Sequence, residues 1–169
     1  MMESNHLLRV LYILFLVGVM NIGSTAQTKN TCSCVGVIKH QQSVDREWCK
    51  DVNLSDSETV EVMSCLLKFR GDKSPVWGVV TNNNVSQTFG PSPLEVVALF
   101  QISRLFYRNE NFADAMVLMD EHDRQNAKES IRRAYIAYAN WLKKVKKIGL
   151  EEMRRRQTDP LASSGVSWY

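Results

Sequence analysis

The sequence lacks the signature motifs by which common enzyme classes are recognised. It contains no Gly-x-Ser-x-Gly nucleophile motif, and no pair of carboxylates marks the acid and base of a glycosidase. His40 also stands apart from other candidate catalytic residues. Because no catalytic residue is indicated, the sequence favours a non-enzymatic protein. We expect neither a cofactor nor a metal ion.

The sequence also lacks an apolar run long enough to span a bilayer. Its longest run, residues 10–20, follows Arg9 as the only positive charge and precedes a small-residue site that ends at Ala26. A charged lead, a short apolar stretch and a small-x-Ala site are typical of a secretory signal peptide. We therefore expect residues 1–26 to be cleaved, and a secreted or periplasmic protein that has no membrane span.

The sequence contains only four cysteines, and all of them belong to the part of the chain that is expected to be exported. They are Cys32, Cys34, Cys49 and Cys65. An even number of cysteines in an exported chain indicates disulfide bonds. Because one intervening residue strains the bridge geometry, Cys32 and Cys34 are not expected to bond each other. Two pairings stay open, 32–49 with 34–65 and 32–65 with 34–49, and either one staples a polar arm, residues 27–55, to the first helix.

A zinc site is the alternative use of these cysteines. Cys32, Cys34, His40 and Cys49 would supply four ligands of the kind that zinc prefers. Their C-x-C spacing differs from the C-x-x-C of a usual zinc knuckle, and an exported chain meets an oxidising environment. The sequence therefore favours disulfides over a metal.

Hydrophobic spacing predicts a mainly α domain, residues 27–169, built around one buried helix. Residues 92–95, Ser-Pro-Leu-Glu, combine an N-cap residue, a proline at the first helical position and a glutamate at the third. In the helix that follows, residues 93–108, apolar residues fall on almost every side, which is typical of a central helix. We expect Leu99 and Ile102 to be buried in it.

Further helices are predicted around this central one, to make four or five in all. They cover residues 55–71, 112–119, 127–148 and 150–157. Ser55 and Glu58 show the capping-box spacing at the start of the first, and Asn126 with Glu129 starts the longest. The longest helix carries an apolar stripe at steps of three and four that includes Trp141. We expect Trp141 to be buried.

A long loop, residues 70–92, separates the first helix from the central one. Within this loop, residues 76–80 have a pattern typical of a β-strand. This strand is a candidate to pair with residues 35–38 and form a minor β element. Long loops on a rigid scaffold often carry function, whereas the alternative is a plain crossover that covers one end of the core. The candidate partner-binding residues on this loop are Asn83, Asn84 and Gln87.

Positive charge is concentrated near the longest helix. The formal net charge of the whole chain is only +3, yet residues 126–156 contain many more Lys and Arg than Glu. Lys143 and Lys147 lie one helical turn apart and off the apolar stripe. A basic face of this kind can dock an anionic partner, such as an acidic protein, a phospholipid headgroup or a nucleic acid, so both are candidate partner-binding residues. The alternative is a solvated helix face.

Four consecutive polar residues, Asp-Glu-His-Asp at 120–123, lie between two predicted helices. They are residue types that bind metals or act as an acid–base pair. However, four adjacent side chains do not all point at one centre, and acidic charge is favourable near the start of the following helix. We therefore interpret them as a solvated turn.

Two large aromatic residues, Trp168 and Tyr169, close the sequence. Exposing both rings to water would be unfavourable, because each carries a large apolar surface. We therefore expect Trp168 to dock into a groove of the domain. A tail that binds a partner is the alternative.

The export signal, the disulfides and the missing catalytic motifs predict a small exported protein that binds another macromolecule, as an inhibitor or immunity-type protein does. We expect a protein partner rather than nucleic acid, because the aromatics near the basic helix lie on its buried stripe. A small exported hydrolase is the rival interpretation, and a structural accessory of an envelope complex is a third. The scattered polar residues that a hydrolase would use are Asp114, Asp120, His122 and Asp123.

Overall fold

A computed structural model describes residues 54–78, 89–109 and 112–169. These residues belong to one compact unit, residues 31–169. The predicted signal peptide and nearly all of the cysteine-bearing arm lie outside the described residues. Among the residues described, no helix combines the length and the apolar composition that a membrane crossing requires.

The described residues form four α-helices and two short two-stranded sheets, which confirms the mainly α prediction. The helices are α1 Asp56–Leu66, α2 Leu94–Tyr107, α3 Lys128–Ile148 and α4 Leu150–Arg155, with a 3-10 turn at Leu67–Phe69 after α1. The strands are β1 Pro75–Val76, β2 Ser92–Pro93, β3 Leu118–Asp120 and β4 Val166–Trp168. β1 pairs with β2 and β3 pairs with β4, both antiparallel.

α2 forms the centre of the fold. Eleven of its fourteen residues are buried, and α1, α3 and α4 all pack against it. Leu99 and Ile102 are buried within it, and Trp141 is buried on the apolar stripe of α3. The three burial predictions are therefore confirmed, because apolar residues on every side of a helix require neighbours on every side.

The predicted cap of α2 is wrong in its details. Pro93 occupies the N-cap position and no side chain caps the helix. Instead, the Ser92 hydroxyl donates to the Met116 carbonyl at 2.7 Å, and the Glu95 carboxylate accepts from the Gly71 backbone N–H at 2.7 Å. Both polar side chains therefore join α2 to distant segments rather than to its own first turn.

Asn126 is likewise not the cap of α3, whose N-cap residue is Ala127. Its side-chain oxygen accepts from the Leu118 backbone N–H at 2.9 Å, and its amide nitrogen donates to the Ser92 hydroxyl at 3.2 Å. Its φ of 46° lies in the left-handed region, which asparagine tolerates better than most residues. Asn126 therefore orients the chain that enters α3.

Two further predictions concern the short strands, and the first of them needs correction. The predicted helix at 112–119 is absent, because that segment bends and then forms β3 against β4. The strand pattern at 76–80 contributes Val76 to β1, and the partner of β1 is β2. Residues 35–38, the expected partner, lie outside the described residues. At 112–119, pairing with a distant segment overrides the local helical pattern, whereas the pairing with residues 35–38 stays a prediction.

Trp168 docks into the domain, as predicted. Its ring contacts Phe100 edge to face, with the centroids 5.2 Å apart. Its indole N–H donates to the Ser103 hydroxyl at 3.2 Å and to the Tyr138 hydroxyl at 3.0 Å, and these two hydroxyls also bond each other. β4 is thereby fixed to α2 and α3 as well as to β3.

Candidate functional site

The C-terminal half of α3 carries four lysines that we call the lysine face. They are Lys143, Lys144, Lys146 and Lys147, all exposed. Within the described part of the chain, no carboxylate pairs with any of them. The lysine face is therefore a patch of uncompensated positive charge, as the sequence predicts for Lys143 and Lys147.

The arginines at the end of α4, Arg155 and the C-cap residue Arg156, differ from these lysines because a carboxylate neutralises them. Arg155 and Arg156 both donate to Glu152, at 2.7 Å and 2.6 Å. Hydrogen bonds from the two guanidinium groups lower the pKa of Glu152 to about 2. The charge concentration seen in the sequence at 126–156 is therefore divided in space, and its unpaired part lies on α3.

Arg154 has a structural role. Its side chain is only 13% exposed and lies against Asp56 and Glu151. It also donates to the backbone carbonyls of Phe106 at 2.9 Å and Leu105 at 3.0 Å, near the end of α2. Arg154 therefore holds α4 against the end of α2 rather than facing a partner.

A groove of about 710 Å³ runs beside the lysine face, between α3 and residues 158–164. Two apolar residues of α3 line it while partly exposed, Ile136 at 42% and Ile148 at 39%. Trp141 lines it too, and its indole N–H donates to the Thr158 carbonyl at 3.2 Å, which fixes the opposite wall. We call this cleft the α3 groove.

Positive charge dominates the lining of the α3 groove. Arg133 and Lys144 line it together with Arg156, which is paired with Glu152, and the lining contains a single carboxylate, Asp159. Asp159 already accepts from the Leu161 backbone N–H at 2.8 Å. In contrast, the Nε of Arg133 is buried with no hydrogen-bond partner. The groove therefore combines apolar surface with a surplus of cationic donors.

Asp120 is a structural residue rather than a metal ligand. One carboxylate oxygen accepts from the backbone N–H groups of His122 and Arg124, and the other from the side chains of Arg124 and Ser130. Burial alone would raise its pKa, but these hydrogen bonds together lower the pKa well below the usual range. Asp120 therefore stabilises the turn before α3 as an ion.

The other residues of the rival hydrolase do not build a site around Asp120. Its contact with His122 involves the backbone N–H, whereas the His122 side chain is 67% exposed. Asp123 is exposed, with φ at 55° in the turn, and Asp114 is exposed in a separate segment. No group of three or more metal-binding side chains occurs in the described ranges. The interpretation of 120–123 as a solvated turn needs one correction, because Asp120 is buried.

Replacing Asp120 with asparagine should destabilise the protein at neutral pH. The amide keeps the acceptor for the backbone N–H groups but removes the acceptor of the buried Ser130 hydroxyl. Leaving one buried hydroxyl unsatisfied costs about 1–3 kcal/mol. Urea unfolding at pH 7 measures the loss, and Glu121→Gln, an exposed neighbour, is the control with little expected effect.

The same pair of variants tests the pH dependence. Because the folded-state pKa of Asp120 is lowered, its contribution is complete above the unfolded-state pKa of about 3.9 and is lost as the pH falls toward the folded-state value. The stability difference between wild type and Asp120→Asn should therefore shrink between pH 5 and pH 2 or so. A difference that stays constant over that range would contradict an ionised structural role.

Several predicted site residues lie outside the described residues. These are Cys32, Cys34 and Cys49 of the arm, and Asn83, Asn84 and Gln87 of the loop. Cys65 is described, lies partly buried on α1 and is disulfide-bonded. The pairing of the four cysteines and the role of the loop therefore stay predictions.

Sequence reasoning missed the α3 groove and its residues Arg133 and Ile136. Ile136 does not follow the steps of the buried stripe, so an isoleucine off the stripe was the available signal. Ile148 follows the stripe but is partly exposed at the end of the helix. The other wall, residues 158–164, has no pattern that would place it opposite α3.

Comparison with known proteins finds no matching family model, no matching curated protein and no matching solved structure. Functional inference for this chain therefore depends on the geometry of its described residues.

Proposed function

We propose that this chain is an exported, non-enzymatic protein that binds an acidic protein partner through the lysine face of α3. The observation that supports this most is the set of four exposed lysines without a carboxylate partner in the described part of the chain. A cationic patch attracts an acidic partner over a distance and orients it on approach.

The spacing of the lysines makes an acidic partner favourable. Lys143 and Lys147 are four residues apart, and Lys144 and Lys147 are three apart, so like charges are neighbours on the helix surface. Each such pair opposes helix stability by about 0.2–0.5 kcal/mol, although the helix C-terminus offsets part of this. Carboxylates of a partner would remove the repulsion, which adds to the binding free energy.

The rival hydrolase receives less support from the described residues. Asp120, the most buried of its candidate residues, uses its carboxylate for hydrogen bonds with the turn before α3 and with Ser130 in the first turn of α3. A general base must reach the proton that it removes, and Asp120 faces the interior instead. The lysine face, by contrast, is open to a partner.

Reversing two charges tests the proposal. Poly-L-glutamate of about twenty residues serves as the acidic probe, with binding measured by calorimetry at several salt concentrations. Lys143→Glu with Lys147→Glu should weaken binding at least about tenfold, equivalent to about 1.4 kcal/mol, and should flatten the salt dependence. The fold should survive, because both residues are exposed.

The matched control reverses two exposed lysines elsewhere, Lys68 and Lys73. It changes the net charge equally, so a specific lysine face predicts a much smaller effect than the α3 variant. If both double variants weakened binding of poly-L-glutamate equally, the effect would come from the net charge of the protein and not from the lysine face. If Asn83→Ala with Gln87→Ala abolished binding while the α3 variant retained it, the loop would be the binding surface instead.

A further inference from the structure

The α3 groove has the length of a short peptide. Its lining residues on α3 run from Arg133 to Ile148, which corresponds to about 22 Å at 1.5 Å per residue. An extended chain covers that distance in about seven residues. A small headgroup would fill only a part of a cleft of this length, whereas an extended segment lies along all of it.

The chemistry of the groove alternates along its length. Basic residues Arg133 and Lys144 and apolar residues Ile136 and Ile148 follow each other on the same wall. In an extended segment, successive side chains point to opposite sides. The side chains that face α3 are therefore two residues apart. A segment in which acidic and apolar residues occur in pairs presents both kinds to this wall, the apolar ones to the isoleucines and Trp141 and the carboxylates to the cations.

Arg133 supplies the cation at one end of the groove. Its guanidinium passes close to Gly165, where an added Cβ would lie 2.9 Å from Nη1. Glycine at 165 therefore leaves room for the Arg133 head group beside the groove.

We infer that the α3 groove binds an extended segment of about seven residues in which acidic and apolar residues occur in pairs. The inference rests on the proposed function, because the segment would belong to the acidic partner that the lysine face attracts. A second copy of this chain is a poor occupant, since its net charge is +3. A bilayer surface is a poor occupant as well, because it does not enter a concave cleft.

Two fluorescein-labelled peptides of seven residues test the inference by fluorescence anisotropy. One, the Glu-Leu peptide, repeats Glu-Glu-Leu-Leu, and the other, the Glu-Ser peptide, has Ser in place of each Leu and therefore the same charge. The Glu-Leu peptide should bind at least about tenfold more tightly than the Glu-Ser peptide. Ile136→Ser with Ile148→Ser should remove this preference, whereas Trp77→Ser, at a residue 71% exposed elsewhere, should retain it.

The outcomes separate this inference from the proposed function. If the two peptides bind equally and the Lys143→Glu with Lys147→Glu variant weakens both, the lysine face is supported and the groove inference is overturned. If neither peptide nor poly-L-glutamate binds, both are overturned. The third outcome is that the protein binds vesicles of equal neutral and anionic phospholipid more tightly than it binds the Glu-Leu peptide, and that the peptide does not compete. That result would assign the lysine face to a membrane surface and overturn the groove inference.

Discussion

Replacing Trp168 with alanine should destabilise the protein by about 3–5 kcal/mol, the range for removing a large aromatic from a packed site. The indole contacts the rings of Phe100 and Phe112, so its removal leaves a cavity against α2. It also removes the N–H that donates to Ser103 and Tyr138. β4 would then be held by its short pairing with β3 and by the backbone hydrogen bonds between Tyr169 and residues 114–117.

Urea unfolding followed by far-UV circular dichroism measures this loss, and two other variants locate its origin. Trp77→Ala removes an indole that is exposed, so it should change the stability by less than about 0.5 kcal/mol. Trp168→Phe keeps an aromatic ring but no N–H donor, so it should lie between wild type and Trp168→Ala. A loss below about 1 kcal/mol for Trp168→Ala would mean that the tail is not part of the stable core.

Leu99→Ala should destabilise the protein by about 2–5 kcal/mol. Leu99 has no exposed surface and lies in the middle of α2, the helix against which α1, α3 and α4 pack. Removing its branched end creates a cavity that helices on several sides would have to fill, and packed helices relax only in part. The loss should therefore fall in the upper half of the range.

Thermal and urea unfolding of Leu99→Ala, compared with Leu105→Ala, tests this central position. Leu105 belongs to the same helix but is only partly buried, so the same truncation there should cost clearly less. Both variants make an identical change in helix propensity, so the difference reports burial alone. Similar losses at the two positions would contradict the central, buried position of α2.

The helices were predictable because their signals are local. A capping box at Ser55 and Glu58 starts α1 as predicted, with both of its hydrogen bonds formed. α3 lies within one residue of its predicted range, since the steps of three and four place its apolar stripe on one side. The burial of α2 follows from composition, because apolar residues on all sides exclude a surface helix.

The parts that were not predictable depend on partners that are distant in sequence. β3 forms because residues 118–120 pair with residues 166–168, and no local pattern at 112–119 reports that pairing. Ser92 and Asn126 have side chains typical of helix caps, but they bond each other and other segments instead. A cap pattern therefore predicts that the hydroxyl or amide forms a hydrogen bond, but tertiary packing determines which group is its partner.

The candidate site divides in the same way. The exposure of Lys143 and Lys147 follows from their place off the apolar stripe, so the sequence was sufficient for the lysine face. The neutralisation of Arg155 and Arg156 by Glu152 was also within reach, because three and four residues separate them on one helix turn. The α3 groove was not predictable from the sequence, because its second wall is an irregular segment that is held in place by the Trp141–Thr158 hydrogen bond.

The docking of Trp168 has a consequence for the motions of the folded protein. Its indole proton is bonded to two hydroxyls, so we expect it to exchange with solvent deuterium only when β4 separates from the domain or when the whole domain unfolds. Releasing β4 breaks a three-residue ladder and leaves α2 packed against α3, so it requires less free energy than global unfolding. Exchange of this one proton would therefore report a partial opening that is confined to the tail segment. The backbone amides of α2 would instead report the unfolding of the entire domain. Identical exchange free energies at the indole and at these amides would show that tail and core open together.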